Sequence, residues 1–141
     1  MLYLLDTNVI SELRKGPRCD PAVAAWEQAE LIRHGGAISV ITIGEIRKGI
    51  ALLLRRDPQQ AAKLENWLQG LYHNFSNRIL PITIDVAEEW GRLNATRPLP
   101  AADSLLCATA NVHNMIFATR NLNDLRDVSV RIVNPFTFVA S

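Results

Sequence analysis

Carboxylates and amides recur in this sequence where short apolar runs give way to segments of helical period. Asp6 follows the run at residues 2–5 and precedes Thr7 and Asn8; Glu45 follows a second run; Asp103 opens an alanine-rich stretch; Asn121 and Asp124 follow Ala118-Thr119-Arg120. Oxygen donors without Cys or clustered His are hard ligands, suited to Mg²⁺ or Mn²⁺ rather than zinc. Drawing Asp6, Glu45 and Asp103 together would set like charges against one another in a partly desolvated place, a cost that a divalent cation offsets. Such ions bridge phosphates, activate water and stabilise a departing oxyanion. Taken one at a time, the same residues are also ordinary helix caps worth about 0.5–2 kcal/mol, and Thr42-x-x-Glu45 fits a capping box. What separates the two readings is whether the fold gathers them.

The elements around them predict that it does. Residues 2–5, 37–41, 79–84, 116–118 and 130–133 are apolar, several of them β-branched, and lack in-out alternation, as strands covered on both faces do. Between them, apolar residues recur at helical spacing: Val23 and Trp26; Ile43, Ile46, Ile50 and Leu53; Ala61, Leu64, Trp67, Leu68 and Leu71; Val86, Trp90 and Leu93. Asp57-Pro58 divides two consecutive helices near 42–56 and 58–74. The stretch 101–112, which follows Pro100, has high helix propensity. Strands alternating with helices give right-handed crossovers and an α/β fold of three layers, α/β/α, around a mainly parallel sheet of four to five strands. In such a sheet the carboxyl ends of all strands lie on one edge, where ligands bind at the topological switch point.

With 141 residues, 48% hydrophobic and 21% charged, the chain is predicted to form one domain over 1–141, burying roughly two-thirds of its unfolded surface. A formal charge of +1 excludes a protein that coats polyanions, so any nucleic-acid contact depends on local patches. No apolar stretch approaches the length of a membrane span, and the first residues lack the basic leader and cleavage site of a secretory signal, which predicts a cytoplasmic chain. Cys19 and Cys107 lie far apart and are expected to pack. His34, His73 and His113 share no ligand spacing, and the three tryptophans fall on separate helical stripes, suited to core or subunit packing. Arg120, beside the acidic edge, and Arg14 with Lys15 are the leading candidates for phosphate contacts; Arg47-Lys48 and Arg55-Arg56 are weaker ones.

Four blocks resemble the PIN-domain ribonucleases, in particular the VapC-type toxins of toxin-antitoxin pairs and their FitB-like branch. They run from Leu5 to Leu13, from Ser39 to Glu45, from Pro100 to Asp103 and from Ala118 to Asn121, with an ending at Asn134-Pro135-Phe136. The resemblance implies that Asp6, Glu45 and Asp103 form an acidic metal site with Thr7 and Thr119 as supporting hydroxyls. It also implies Mg²⁺- or Mn²⁺-dependent endonuclease activity on RNA, with transfer RNA among the candidate targets. The partners it implies are a VapB-like antitoxin that places a basic side chain in the acidic groove, a second copy of the chain in a homodimer, and promoter DNA for the whole assembly. Where many relatives carry Asp, this sequence has Asn121, which accepts through its amide oxygen but adds no charge; Asp124, one turn on, is a weaker candidate for the fourth ligand. A less active subunit that mainly binds antitoxin and DNA is the alternative. An aspartyl-phosphate mechanism at Asp6 is disfavoured, because Asp6-Thr7-Asn8 lacks the second Asp that such phosphatases use.

Overall fold

The computed structural model describes residues 1–141 and places five strands in one sheet. They are β1 (Tyr3–Leu5), β2 (Gly36–Ser39), β3 (Ile79–Leu80), β4 (Ile116–Ala118) and β5 (Ile132–Val133), all parallel, in the order β3-β2-β1-β4-β5. The helices are α1 (Thr7–Leu13), α2 (Pro21–Trp26), α3 (Ile32–His34), α4 (Val40–Leu54), α5 (Pro58–Asn74), α6 (Ile84–Thr96) and α7 (Ala101–Val112). A π-helical turn, Glu27–Leu31, joins α2 to α3.

Alternation along the strands sorts the core into two clusters. Tyr3 and Leu5 of β1, Ile38 of β2 and Ala118 of β4 pack with Val9, Ile10, Trp26, Ile46, Ile50, Leu68 and Leu71 from α1, α2, α4 and α5. Leu4, Ala37, Leu80 and Phe117 turn the other way and pack with Leu106, Cys107 and Ala110 of α7, with Met115 and with Leu125. Both faces of each central strand are therefore covered, which is why these runs are apolar without alternation. Trp26 is fully buried, its ring edge-on to Tyr3 at 5.0 Å between centroids. Gly35 holds φ +77° at the entry to β2, a conformation that glycine adopts without steric cost.

Strand ends differ from the sequence expectation in three places. The run 37–41 gives way to helix after Ser39, whose hydroxyl accepts the Ile41 N–H at 3.0 Å and caps α4. Val40 and Ile41 are therefore helical although β-branched. The run 79–84 keeps only two strand residues, because Pro81 offers no N–H and Thr83 caps α6 by accepting from Val86 at 3.2 Å. The run 130–133 pairs only at Ile132 and Val133. Helices at 58–74 and 101–112 fall where the periodicity places them. No helix is long and apolar enough to cross a membrane.

Candidate active site

Chain order fixes where the site must lie. From β1 the chain passes outward to β2 and β3, then crosses back to β4 and β5 on the other side. The switch point is thus the crevice beyond the carboxyl ends of β1 and β4, where Asp6 and Thr119 follow the strands directly. The Thr119 hydroxyl donates to Asp6 Oδ2 at 2.6 Å across that crevice, linking residues 113 positions apart.

Asp6 is both a cap and something more. Its Oδ1 accepts the Thr7 N–H at 2.7 Å, starting α1, while Oδ2 accepts from Thr119 and from Asn8 Nδ2 at 3.2 Å. The residue is buried. Burial holds its carboxyl above the usual range, and the hydrogen bonds from Thr119, Thr7 and Asn8 pull it partly back.

Glu45 and Asp103 are not caps. Ser39, not Thr42, caps α4, so the capping box Thr42-x-x-Glu45 does not form; Thr42 is buried in the first turn. The Glu45 carboxylate instead accepts the Thr7 hydroxyl at 2.6 Å. Asp103 lies in the first turn of α7, which has no side-chain cap, and its Oδ2 accepts from Asn121 Nδ2 at 3.2 Å. Burial raises the Asp103 carboxyl, and the charges of Asp6, Glu45 and Asp124 raise it further. The same field reaches below the surface: burial first, then Asp103 and Asp6, pushes the Cys107 thiol up to about 12.

Neighbouring contacts hold these groups in place. Trp90 Nε1 donates at 2.9 Å to the Ser104 hydroxyl, which itself donates to the Pro100 carbonyl at 2.8 Å, so the α7 start is anchored to α6. Arg97 forks onto Asp127 (Nη2 to Oδ1, 2.6 Å) and donates to the Asp124 carbonyl at 2.8 Å, tying the segment that carries Asp124 to the stretch before α7. Asp124 itself is exposed and touches none of the other acids through a hydrogen bond, acting on Asp103 through charge.

The donors fit a hard cation. All are oxygen ligands, and none of Asp6, Glu45, Asp103 or Asp124 is ion-paired; the Lys and Arg side chains in salt bridges face Glu12, Glu65, Glu88, Glu89 and Asp127 instead. The carboxylates nevertheless do not stand close enough for three of them to form a ready-made cage. Each leans on its own hydrogen-bond donor, Asp6 on Thr119, Glu45 on Thr7 and Asp103 on Asn121. At position 121 a carboxylate would face Asp103 with a further negative charge, whereas the amide donates to it.

Asn8 belongs to the site although its chemistry alone did not single it out. It donates to Asp6 and, at 3.4 Å, to Thr119, and its Oδ1 accepts the Arg120 N–H at 3.2 Å. Its signal was its place two residues after Asp6, within reach of the same carboxylate.

The basic candidates divide. Arg120 is exposed, with its guanidinium over the Phe136 ring at 4.4 Å. Arg14 lies over Trp67 at 5.1 Å, and Lys15 pairs with Glu12 at 2.9 Å. Arg47 is engaged by Glu65, Nη2 to Oε2 at 3.1 Å.

Replacing Thr119 by Val keeps the shape and removes the hydroxyl. Asp6 Oδ2 then loses its shortest donor, and the Asn121 N–H, which Thr119 accepts at 3.0 Å, loses its acceptor. The expected cost in urea unfolding is about 1–3 kcal/mol, with divalent-ion affinity in calorimetry falling about 10–100-fold.

A parallel sheet whose switch point carries Asp6 at a strand end, Glu45 on α4 and Asp103 in the first turn of α7 has its match in the PIN domain. The PIN domain family model matches residues 3–130, and the chain belongs to that family. It is 34% identical over 140 residues to Toxin FitB of Neisseria gonorrhoeae, covering 96% of this chain and 99% of that protein. It is 32% identical over 141 residues to VapC ribonuclease Y4jK of Sinorhizobium fredii, covering 96% and 98%. Among solved structures, FitAB bound to an IR36 DNA fragment matches with a TM-score of 0.82 at 32% identity, covering 99% of both chains.

Proposed function

We infer that this chain is an endoribonuclease and the growth-inhibiting toxin of a toxin-antitoxin pair, hydrolysing RNA phosphodiester bonds with a divalent cation at the Asp6 edge. The observation that carries this reading is an edge where Asp6 is tied across the crevice to Thr119 while Asp6, Glu45, Asp103 and Asp124 have no basic side chain paired to them. The full-length likeness to a protein named as a VapC ribonuclease and to one named as a toxin supports it.

Asp6, Asp103 and Glu45 are the residues that would hold the cation, with the Asn121 amide oxygen as a neutral addition and Asp124 as an outer one. Mg²⁺ or Mn²⁺ suits such oxygen ligands. When bound, the cation supplies a more acidic water and positive charge against the phosphate. Thr7 and Thr119 orient Glu45 and Asp6 through their hydroxyls, and Asn8 fixes Asp6 and the Arg120 backbone. Hydrolysis forms a P–O bond to the water oxygen and breaks the P–O bond to a sugar oxygen; a carboxylate at this edge would receive the water's proton, and the leaving sugar oxygen would take one from solvent.

The partner is a VapB-like antitoxin, and the pair binds promoter DNA; the solved FitAB relative is bound to an IR36 DNA fragment. An antitoxin Arg could satisfy the acidic edge in the cation's stead. Two copies of the toxin per assembly, and a cytoplasmic setting, complete the reading.

Purified protein freed of antitoxin, incubated with a panel of structured RNAs including transfer RNA, should cut RNA in Mg²⁺ or Mn²⁺ and not in EDTA. Asn121, which adds no charge where the family resemblance implies an Asp, favours a second reading, a weakly active subunit that chiefly binds antitoxin and DNA. No ion-dependent cleavage of any RNA selects that second reading.

A further inference from the structure

Away from the acidic edge, α1 and the start of α5 enclose a cleft of about 540 Å³ lined by Ser11, Arg14, Lys15, Arg18, Gln60 and Lys63. No apolar side chain lines it, and all six lining residues are exposed. In a chain of net charge +1, four cationic groups around one cleft are a strong local concentration. Their charge is only partly answered. Glu12 pairs with Lys15 at 2.9 Å and also accepts the Asp20 N–H at 2.8 Å, and those two bonds hold its carboxyl below the usual range. Asp57 spends its Oδ1 on the Gln60 N–H at 3.2 Å, capping α5. Arg18 and Lys63 have no ion pair at all, and Arg14 is steadied by the Trp67 ring rather than by an acid.

One face of α1 leads from the site toward the cleft. Thr7, Ser11 and Arg14 follow one another at helical spacing along one face of α1. Arg14 therefore lies about 10 Å along the axis from Thr7, the residue that holds Glu45. Polar hydroxyl and amide groups, Ser11 and Gln60, complete a lining that suits phosphate oxygens and offers nothing to an apolar anchor.

We propose that this cleft is a phosphate-docking site for the RNA strand flanking the cleaved bond, with Arg18 and Lys63 as its free cations and Arg14 as its pre-positioned one. The choice of RNA rests on the ribonuclease reading above. The strand would leave the acidic edge along α1 and seat its backbone between α1 and α5. Such contacts position without reading sequence, so the cleft contributes affinity and orientation, while target choice lies elsewhere.

The test is an Arg18→Glu/Lys63→Glu double variant, freed of antitoxin and checked for unchanged thermal unfolding. Its binding to a fluorescein-labelled single-stranded RNA is followed by anisotropy in EDTA across a salt series, and cleavage in Mg²⁺ or Mn²⁺ is followed separately. We expect binding at low salt to weaken about tenfold or more and the slope of log affinity against log salt to fall by about 1.4, roughly 0.7 per cation on a single strand. The conservative pair Arg18→Lys/Lys63→Arg should restore both. If the double variant binds with the wild-type affinity and slope while the wild type cleaves, the cleft is not the docking site and the ribonuclease reading stands. A wild type that binds RNA through the cleft but never cuts it upholds the cleft and removes the ribonuclease reading; a wild type that does not bind RNA removes the cleft.

Discussion

The Asp6→Asn variant should lose RNA cleavage by at least about 10²-fold while unfolding at the same temperature as the wild type or higher. The two halves of that result come from one physical fact. Asp6 is buried, and its carboxyl is held above the usual range chiefly by desolvation. Its charge therefore costs the folded state free energy at neutral pH, and an isosteric amide removes that cost. Asn keeps an oxygen for the Thr7 N–H, and the Thr119 hydroxyl can reverse to accept from the new amide. What the amide cannot supply is the charge that a hard cation needs in its ligand. A merely structural Asp6, serving α1 as a cap that Asn replaces equally well, would leave turnover unchanged. Single-turnover cleavage assays beside calorimetric unfolding distinguish the two, and undiminished cleavage by a folded Asp6→Asn protein would remove Asp6 from the site.

The second large effect is on stability. Phe117 is fully buried in β4, in register with Leu4 of β1 and Ile132 of β5, on the face that α7 covers. Truncation to Ala leaves a cavity that three strands cannot close, at an expected cost of about 3–5 kcal/mol. Domains of this kind are stable by about 5–15 kcal/mol, so the variant should have a much lower urea midpoint with an unchanged m value. Thr119 follows two residues later, so the damage also loosens the bond to Asp6. Activity at moderate urea should therefore fall in step with the folded fraction. A midpoint within about 1 kcal/mol of wild type would mean that β4 repacks, contrary to the dense core described above.

Much of this was legible before any coordinates. Two-sided burial left its mark as unbroken apolar runs, and parallel order followed from alternation with helices. That order alone forces Asp6 and Thr119 to the same edge. What misled was local. The stretch Val40-Ile41-Thr42-Ile43 has the β-branched content of a strand, yet Ser39 starts a helix there, because burial of Ile46 and Ile50 against the sheet outweighs intrinsic preference. Misplacing that boundary made Thr42 look like the cap and Glu45 its partner. Asn8 went unweighted because its role depends on Thr119, more than a hundred residues away. The Arg97 fork onto Asp127 is beyond any spacing rule, since only the folded chain brings the two together. The carboxylates share an edge but stop short of a finished cage, a distinction of ångströms that no sequence pattern encodes.

The bond from Thr119 to Asp6 spans nearly the length of the polypeptide. During translation, the first strand leaves the ribosome long before Thr119, just past the fourth, has been synthesised. The nascent chain therefore lacks the bond between Thr119 and Asp6 until about its last sixth emerges. A chain that stopped short of β4 would keep Asp6, Glu45 and Asp103 but lack the hydroxyl that holds Asp6.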